Sequence, residues 1–166
     1  MKTLDQQMTV YAAYHRDLRN KLTHFVGVPM IMFAVLVAFG WARLPIGGFD
    51  LSLAYALSIV VLAYYFALDR PLAVAMTVVV GLLLWGSETV VAAGFATSLT
   101  AFLVTFIVGW IIQLVGHYFE GRKPALVDNL FQILVAPIFL MAEVFFALGF
   151  KRDVLARVEH ALKLQA

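Results

Sequence analysis

The chain has 166 residues, 63% of them hydrophobic and only 13% charged, with a mean hydropathy of +0.93. Soluble domains carry about 25% charged residues, so the composition excludes a water-soluble globule and points to an all-α integral membrane bundle, a single domain over residues 1–166. A net charge of +2 without a basic patch excludes a nucleic-acid partner, and the absence of cysteine excludes disulfides, thiolate metal sites and cysteine nucleophiles.

Residues 3–19 read as an amphipathic helix. Leu4, Met8, Tyr11 and either Tyr14 or His15 recur at helical spacing, with Asp5 in the first turn and Arg16 and Arg19 in the last. Such a helix lies along a membrane surface. No cleavable signal peptide is expected, because no apolar core follows a short basic head. Residues 25–42 carry no charge over eighteen positions, enough for a span, and Asn20 is the expected cap of this helix. The cap matters for geometry. His15 and His24 are nine residues apart, about 900° of turn, and on one straight helix they face opposite ways. A break at Asn20 lets the two imidazoles converge.

Residues 43–50, with Pro45, Gly47 and Gly48, read as a loop. Residues 51–68 read as a second span. Asp69-Arg70-Pro71 is a tight turn, with Pro71 opening a third span over 71–87. A polar turn is expected over 88–98 and a fourth span over 99–116. Glycines within the spans, Gly81 and Gly86 among them, read as points of close helix packing. Lys123-Pro124 is expected to end the fourth helix, and Asp128 or Asn129 to cap the next segment. Residues 130–150 are apolar but interrupted by Pro137 and Glu143, and read as a Pro-broken or re-entrant fifth segment. Residues 151–164 form a second amphipathic helix. With the N-terminus inside and residues 130–150 dipping in and returning, eleven of the twelve Lys and Arg residues lie inside and Arg43 alone outside. Both termini are then cytoplasmic.

This topology gathers His15, His24, His117, Glu120 and Asp128 at one membrane interface. Gln113, His117 and Glu120 recur at i, i+4 and i+7 and share one helical stripe. Three imidazoles, or two with Glu120, make a site for non-haem iron, with zinc or manganese as alternatives. Asn20, Gln113 and Asp128 are candidates to orient the rings by accepting their second N–H. The blander alternatives are interfacial histidines that only anchor helices, and a Glu120 that pairs with Arg122 or Arg16. His160 lies on a surface helix without polar company and reads as structural. Glu143, in an apolar segment, needs a partner. Arg122 and Lys123 bind a carboxylate or phosphate head group, or are ordinary inner-face charges.

Tyr14-His15-Arg16, then Asn20-Lys21, Thr23-His24, Gly27 and Pro29, then Gln113, Gly116-His117, Glu120-Gly121-Arg122, Pro124 and Leu126, then Asp128-Asn129, Ala136-Pro137 and Glu143 form a pattern that resembles the Mpo1-like family. The resemblance runs over essentially the whole chain, and its two histidine motifs are specific in combination. It implies an iron(II)-dependent dioxygenase that shortens 2-hydroxy fatty acids by one carbon with O2, in α-oxidation. It implies that His15, His24 and His117 are the catalytic metal ligands. Arg122 or Arg19 would neutralise the substrate carboxylate, and the acyl tail would lie between spans, parallel to the chains of the lipid bilayer. The expected location is a bacterial inner membrane, or the endoplasmic reticulum in a eukaryote, and a homo-oligomer is compatible with it. The competing readings are a transporter and a non-catalytic metal-binding scaffold. A transporter places ionisable groups at the bilayer midplane on broken helices, and only Glu143 and Pro137 offer that here.

Overall fold

Helix α1 (Leu4–Ala13) opens with a reciprocal cap: Thr3 Oγ1 accepts from the Gln6 N–H, and the Gln6 side chain accepts from the Thr3 N–H. In the computed structural model, which describes residues 3–121 and 131–164, this helix is shorter than its sequence pattern suggests. It ends at Ala13, and the chain turns through residues 14–17. Asp17, not Asn20, caps helix α2 (Leu18–Gly40) by accepting from the Arg19 N–H, and the Arg19 guanidinium closes back on the same carboxylate. The break expected at Asn20 is real but lies earlier in the chain. Arg16 and Arg19 therefore sit outside the last turn of α1. Asn20 is inside α2 and fully buried.

The stretch expected to be a loop after α2 is a small antiparallel hairpin, β1 (Arg43–Ile46) with β2 (Phe49–Ser52), pairing Arg43 with Ser52 and Ile46 with Phe49. Gly47 and Gly48 both have positive φ, 58° and 85°, as a two-residue hairpin turn requires. Helix α3 (Leu53–Leu68) has 16 residues, about 24 Å, less than the ~30 Å hydrocarbon core. The predicted start of that span, Leu51 and Ser52, is used by β2. Helix α4 (Arg70–Ala92) runs through the polar stretch expected to be a turn. Glu88 stays helical because Arg43 and the Ser52 hydroxyl meet its carboxylate. Only Ala93 and Gly94 separate α4 from helix α5 (Phe95–Glu120). That helix ends on Gly121, whose φ of 67° is left-handed, so it stops before Lys123-Pro124, which lies outside the described residues.

Helix α6 (Gln132–Ala147) passes unbroken through Pro137. The sharp bend comes after it, where the chain turns by 114° into helix α7 (Arg152–Lys163). Gly149 at φ 83° and Lys151 at φ 51° make the corner.

Among the described residues three helices, α2, α4 and α5, are long and apolar enough to cross a membrane, so the protein is an integral membrane bundle with a bent, re-entrant-like pair α6–α7. Large apolar side chains on α4 and α5, such as Leu82, Trp85, Val104 and Ile111, are exposed, as lipid-facing surfaces are. Helices α2 to α5 run end to end. The hairpin and Glu88 mark one end. The start of α2, the α3–α4 turn at Asp69 and the last turn of α5 mark the other. Helix α6 stays at this second end, because Glu143 pairs with Lys21, Lys151 pairs with Asp69, and Tyr65 Oη donates to the Leu134 carbonyl. Helix α1 packs on α6 and α7, with Arg157 paired to Asp5. The buried core, including Met8, Tyr11, Tyr65, Leu72 and Phe139, sits there too.

Helices α2 and α5 form the tightest pair. A Cβ on Gly27 would stand 2.9 Å from the Gly109 carbonyl, and one on Gly116 would stand 2.1 Å from Thr23 Oγ1. The packing glycines of this pair are thus Gly27, Gly109 and Gly116; of the two expected, a Cβ on Gly86 would meet the Phe33 ring at 3.4 Å, whereas one on Gly81 would meet nothing within 4 Å. This contact sets how closely the histidine of α2 approaches that of α5.

Candidate metal centre

His15 stands in the turn between α1 and α2, His24 in the second turn of α2, and His117 in the last turn of α5. All three are buried, at 2%, 3% and 6% exposure. Their ring centroids are 4.6 Å (His15–His24), 5.1 Å (His15–His117) and 5.0 Å (His24–His117) apart. One ligand atom from each lies within 4.8 Å of the other two, and no other residue joins this group among the described residues.

Two of the rings are oriented by the main chain. His15 Nδ1 is 2.8 Å from the Tyr11 carbonyl, and His24 Nδ1 is 2.8 Å from the Asn20 carbonyl. A carbonyl only accepts, so each Nδ1 carries the proton and each neutral ring turns a bare Nε2 lone pair inward. The Tyr11 ring stacks on His15 at 3.9 Å, with the planes 2° apart. Burial, and then the neighbouring His24, push the His15 pKa down to about 3, so its imidazole is neutral at ordinary pH.

The two Nε2 atoms stand 3.1 Å apart. Lone pairs facing at that distance repel unless a positive charge lies between them. A bridging proton would leave one ring cationic in a buried site. A divalent ion is the other solution, since nitrogens about 2.1 Å from one ion stand roughly 3–3.5 Å apart. His117 Nδ1 is buried without a hydrogen-bond partner among the described residues. The donor set therefore fits a metal ion.

Glu120, expected as a fourth ligand or an ion-pair partner of arginine, has other partners. Its Oε1 accepts from the Arg16 N–H at 2.9 Å, and its Oε2 from the Asp17 N–H at 2.8 Å and Asn20 Nδ2 at 3.1 Å. One carboxylate thereby ties the turn that carries His15 to the helix turn that carries His117. Asn20 orients His24 through its backbone carbonyl, and its side chain serves Glu120 and the Tyr14 carbonyl. Gln113, expected to orient an imidazole, has its Oε1 buried without a partner among the described residues. Arg19 is paired with Asp17 at 2.7 Å, lies over the Phe119 ring, and does not line the histidine cavity. Arg122 and Asp128 lie outside the described residues. Glu143 finds its partner in Lys21 at 2.8 Å, and His160 is exposed on α7.

The histidines open into a cavity of about 200 Å³. Its wall also includes Gln113, Gln132, Tyr11 and Trp110. The rest of its lining is mainly apolar, with Val28, Ile31, Val35 and Leu36 of α2 and Leu57 and Val61 of α3. From His24 to Leu36 the slot follows α2 for about 18 Å. Gln132 and Tyr11 were missed by sequence reasoning. The available signals were a lone amide within an apolar run and a tyrosine four residues before His15.

The model of the Mpo1-like family, described as 2-hydroxy-palmitic acid dioxygenase Mpo1-like, matches residues 1–148. The 2-hydroxy-palmitic acid dioxygenase MPO1 of Saccharomyces cerevisiae is 35% identical over 164 residues, which is 98% of this chain and 91% of the yeast protein. No solved structure matches the chain. The three histidines that meet in the fold fall inside both matches, and the chain belongs to the Mpo1-like family.

Proposed function

We propose that the protein is a non-haem iron(II) dioxygenase that shortens 2-hydroxy fatty acids by one carbon, using O2. The observation that carries this reading is three buried imidazoles converging on the wall of a mainly apolar slot that runs along a membrane helix. His15, His24 and His117 would hold the ion. Bound there, iron(II) would supply the redox chemistry that lets O2 react with the 2-hydroxy acid. A three-nitrogen set suits this metal because it leaves coordination positions open.

The remaining roles belong to the chain. The carbonyls of Tyr11 and Asn20 hold the first two rings in the tautomer that presents Nε2. Glu120 fixes the spacing between His15 and His117. The slot beside α2 takes the acyl tail, and burial of that tail sets the head group against the histidines, so binding energy from the unreactive chain positions the reacting end. Arg122, which comes just after the last turn of α5 in sequence, is the cation proposed to neutralise the carboxylate, since Arg19 is engaged by Asp17. The transporter reading loses its support: Glu143 is paired at the bundle end and α6 is not broken at Pro137.

Iron(II)-loaded protein in detergent, given a 2-hydroxy fatty acid and O2, should release the acid one carbon shorter. His117→Ala should abolish this while the protein stays membrane-inserted, and His160→Ala should leave it intact. Turnover retained by the His117→Ala protein would refute the assignment. That both terminal helices lie on the cytoplasmic side is part of this proposal, supported by the packing of α1 against α7 and by the distribution of Lys and Arg. Single cysteines at Thr3 and Lys163 should be labelled from that side and one at Gly47 from the other, in a background with no native cysteine.

A further inference from the structure

Two glutamines line the histidine cavity from different helices, Gln113 on α5 and Gln132 at the start of α6. Both are more than nine-tenths buried, at 7% and 3% exposure. In both, the side-chain carbonyl Oε1 is buried with no hydrogen-bond partner among the described residues. One such acceptor is an accident of packing that a shift of a side chain would cure. Two on the wall of one cavity, which His117 also lines with an Nδ1 that has no partner among the described residues, mark polar groups that await a ligand. Neither amide orients His15 or His24, whose Nδ1 atoms go to main-chain carbonyls and whose Nε2 atoms face each other.

We infer that Gln132 and Gln113 read the head group of the substrate, and that their carbonyl oxygens select for a hydroxyl beside the carboxylate. The inference rests on the dioxygenase reading and deepens it. An ionised carboxylate offers only acceptors. It satisfies amide N–H groups and leaves an amide carbonyl as unpaired as before. A 2-hydroxyl adds one O–H donor next to the carboxylate, and that donor can meet one of the two orphaned carbonyls. A plain fatty acid fills the same apolar slot but leaves the buried acceptors unmet, and a site built to bind a substrate hydroxyl rejects the analogue without it. Discrimination of this kind comes from the glutamines themselves, in addition to anything a bound metal contributes.

The test uses the full chain in detergent, without metal and without O2, so that neither chelation nor turnover enters. Binding of 2-hydroxyhexadecanoic acid and of hexadecanoic acid is measured by calorimetry on wild type, Gln132→Leu and Gln113→Leu. Wild type should prefer the hydroxy acid by about tenfold, the worth of one buried hydrogen bond. Gln132→Leu should bind both acids with equal affinity, close to the wild-type affinity for hexadecanoic acid, and should still take up iron(II) at the wild-type ratio. Should the leucine variant fail to fold, Gln132→Met, unbranched and of similar volume, replaces it. If both glutamine variants keep the wild-type preference, the amides do not read the hydroxyl and the inference is wrong. If wild type itself shows no preference in this assay, the inference fails. If iron(II)-loaded wild type also fails to distinguish the two acids, the 2-hydroxy acid reading of the site fails with it.

Discussion

The two ends of the bundle treat polar groups in opposite ways. At the hairpin end, Arg43 reaches both Asp50 and Glu88, the Ser52 hydroxyl donates to Glu88, and Trp41 Nε1 donates to Ser98 Oγ at 3.0 Å. No side-chain atom there is left buried and unpartnered among the described residues. At the histidine end a similar framework exists, with Lys21–Glu143, Lys151–Asp69 and the Glu120 bonds to Arg16, Asp17 and Asn20. Yet every buried side-chain atom without a partner among the described residues, Asn20 Oδ1, Gln113 Oε1, His117 Nδ1 and Gln132 Oε1, belongs to this end. Buried polar groups are normally paired because an unmet one costs about 1–3 kcal/mol. An end that closes its polar groups serves stability alone. One that braces its frame and leaves acceptors open is arranged around something it binds.

The sharpest break in this contrast should come from Glu120. Glu120→Ala frees two main-chain N–H groups of the turn that carries His15. Iron(II) affinity should fall by about 10–100-fold, the usual effect of removing a group that orients a ligand. Glu120→Gln, which keeps one acceptor oxygen, should recover part of the loss. The X-ray absorption spectrum of residual iron in the alanine variant should retain the wild-type ligand set. A lost oxygen ligand in that spectrum would restore Glu120 to the metal.

Gly116→Ala comes next. The new Cβ would collide with Thr23 Oγ1 at 2.1 Å and Asn20 Oδ1 at 2.6 Å, forcing α2 from α5 at the level of the site. A stability loss of about 1–3 kcal/mol is expected from such overpacking, read as a lower melting temperature, together with weaker iron binding because His24 and His117 separate. Gly81→Ala, in open space, should do neither. The smallest effect belongs to the other end. Glu88→Gln weakens the contacts with Arg43 and should cost about 1 kcal/mol while leaving iron uptake unchanged. Loss of iron in that variant would mean that the two ends are coupled.

How far the sequence could be read depends on what each feature is made of. The shared face of Gln113, His117 and Glu120 is helical periodicity, and it was legible. So was the need for a break between His15 and His24, since a continuous helix keeps them apart. Its position was misread because Asp17 and Asn20 are both good caps, and the choice is made by Arg19 closing on Asp17 and by burial of Asn20 under Gly116. The role of Glu120 was hidden for a different reason. Its partners are mainly main-chain N–H groups, which every residue but proline carries, so no side-chain pattern announces them. The hairpin was obscured by Pro45, which argues against a strand but is tolerated at an unpaired edge. Gln132 drew no notice because its place on the cavity wall depends on how α6 lies across the bundle end, a tertiary fact that local spacing does not contain.

The most direct measurement is the metal stoichiometry and ligand count of iron(II)-loaded protein, by elemental analysis and X-ray absorption. One iron per chain, with three imidazole nitrogens at about 2.0–2.2 Å, is the expected result for wild type, with the iron gone in His15→Ala, His24→Ala and His117→Ala alike. Full iron content in any one of these three variants would contradict the shared site.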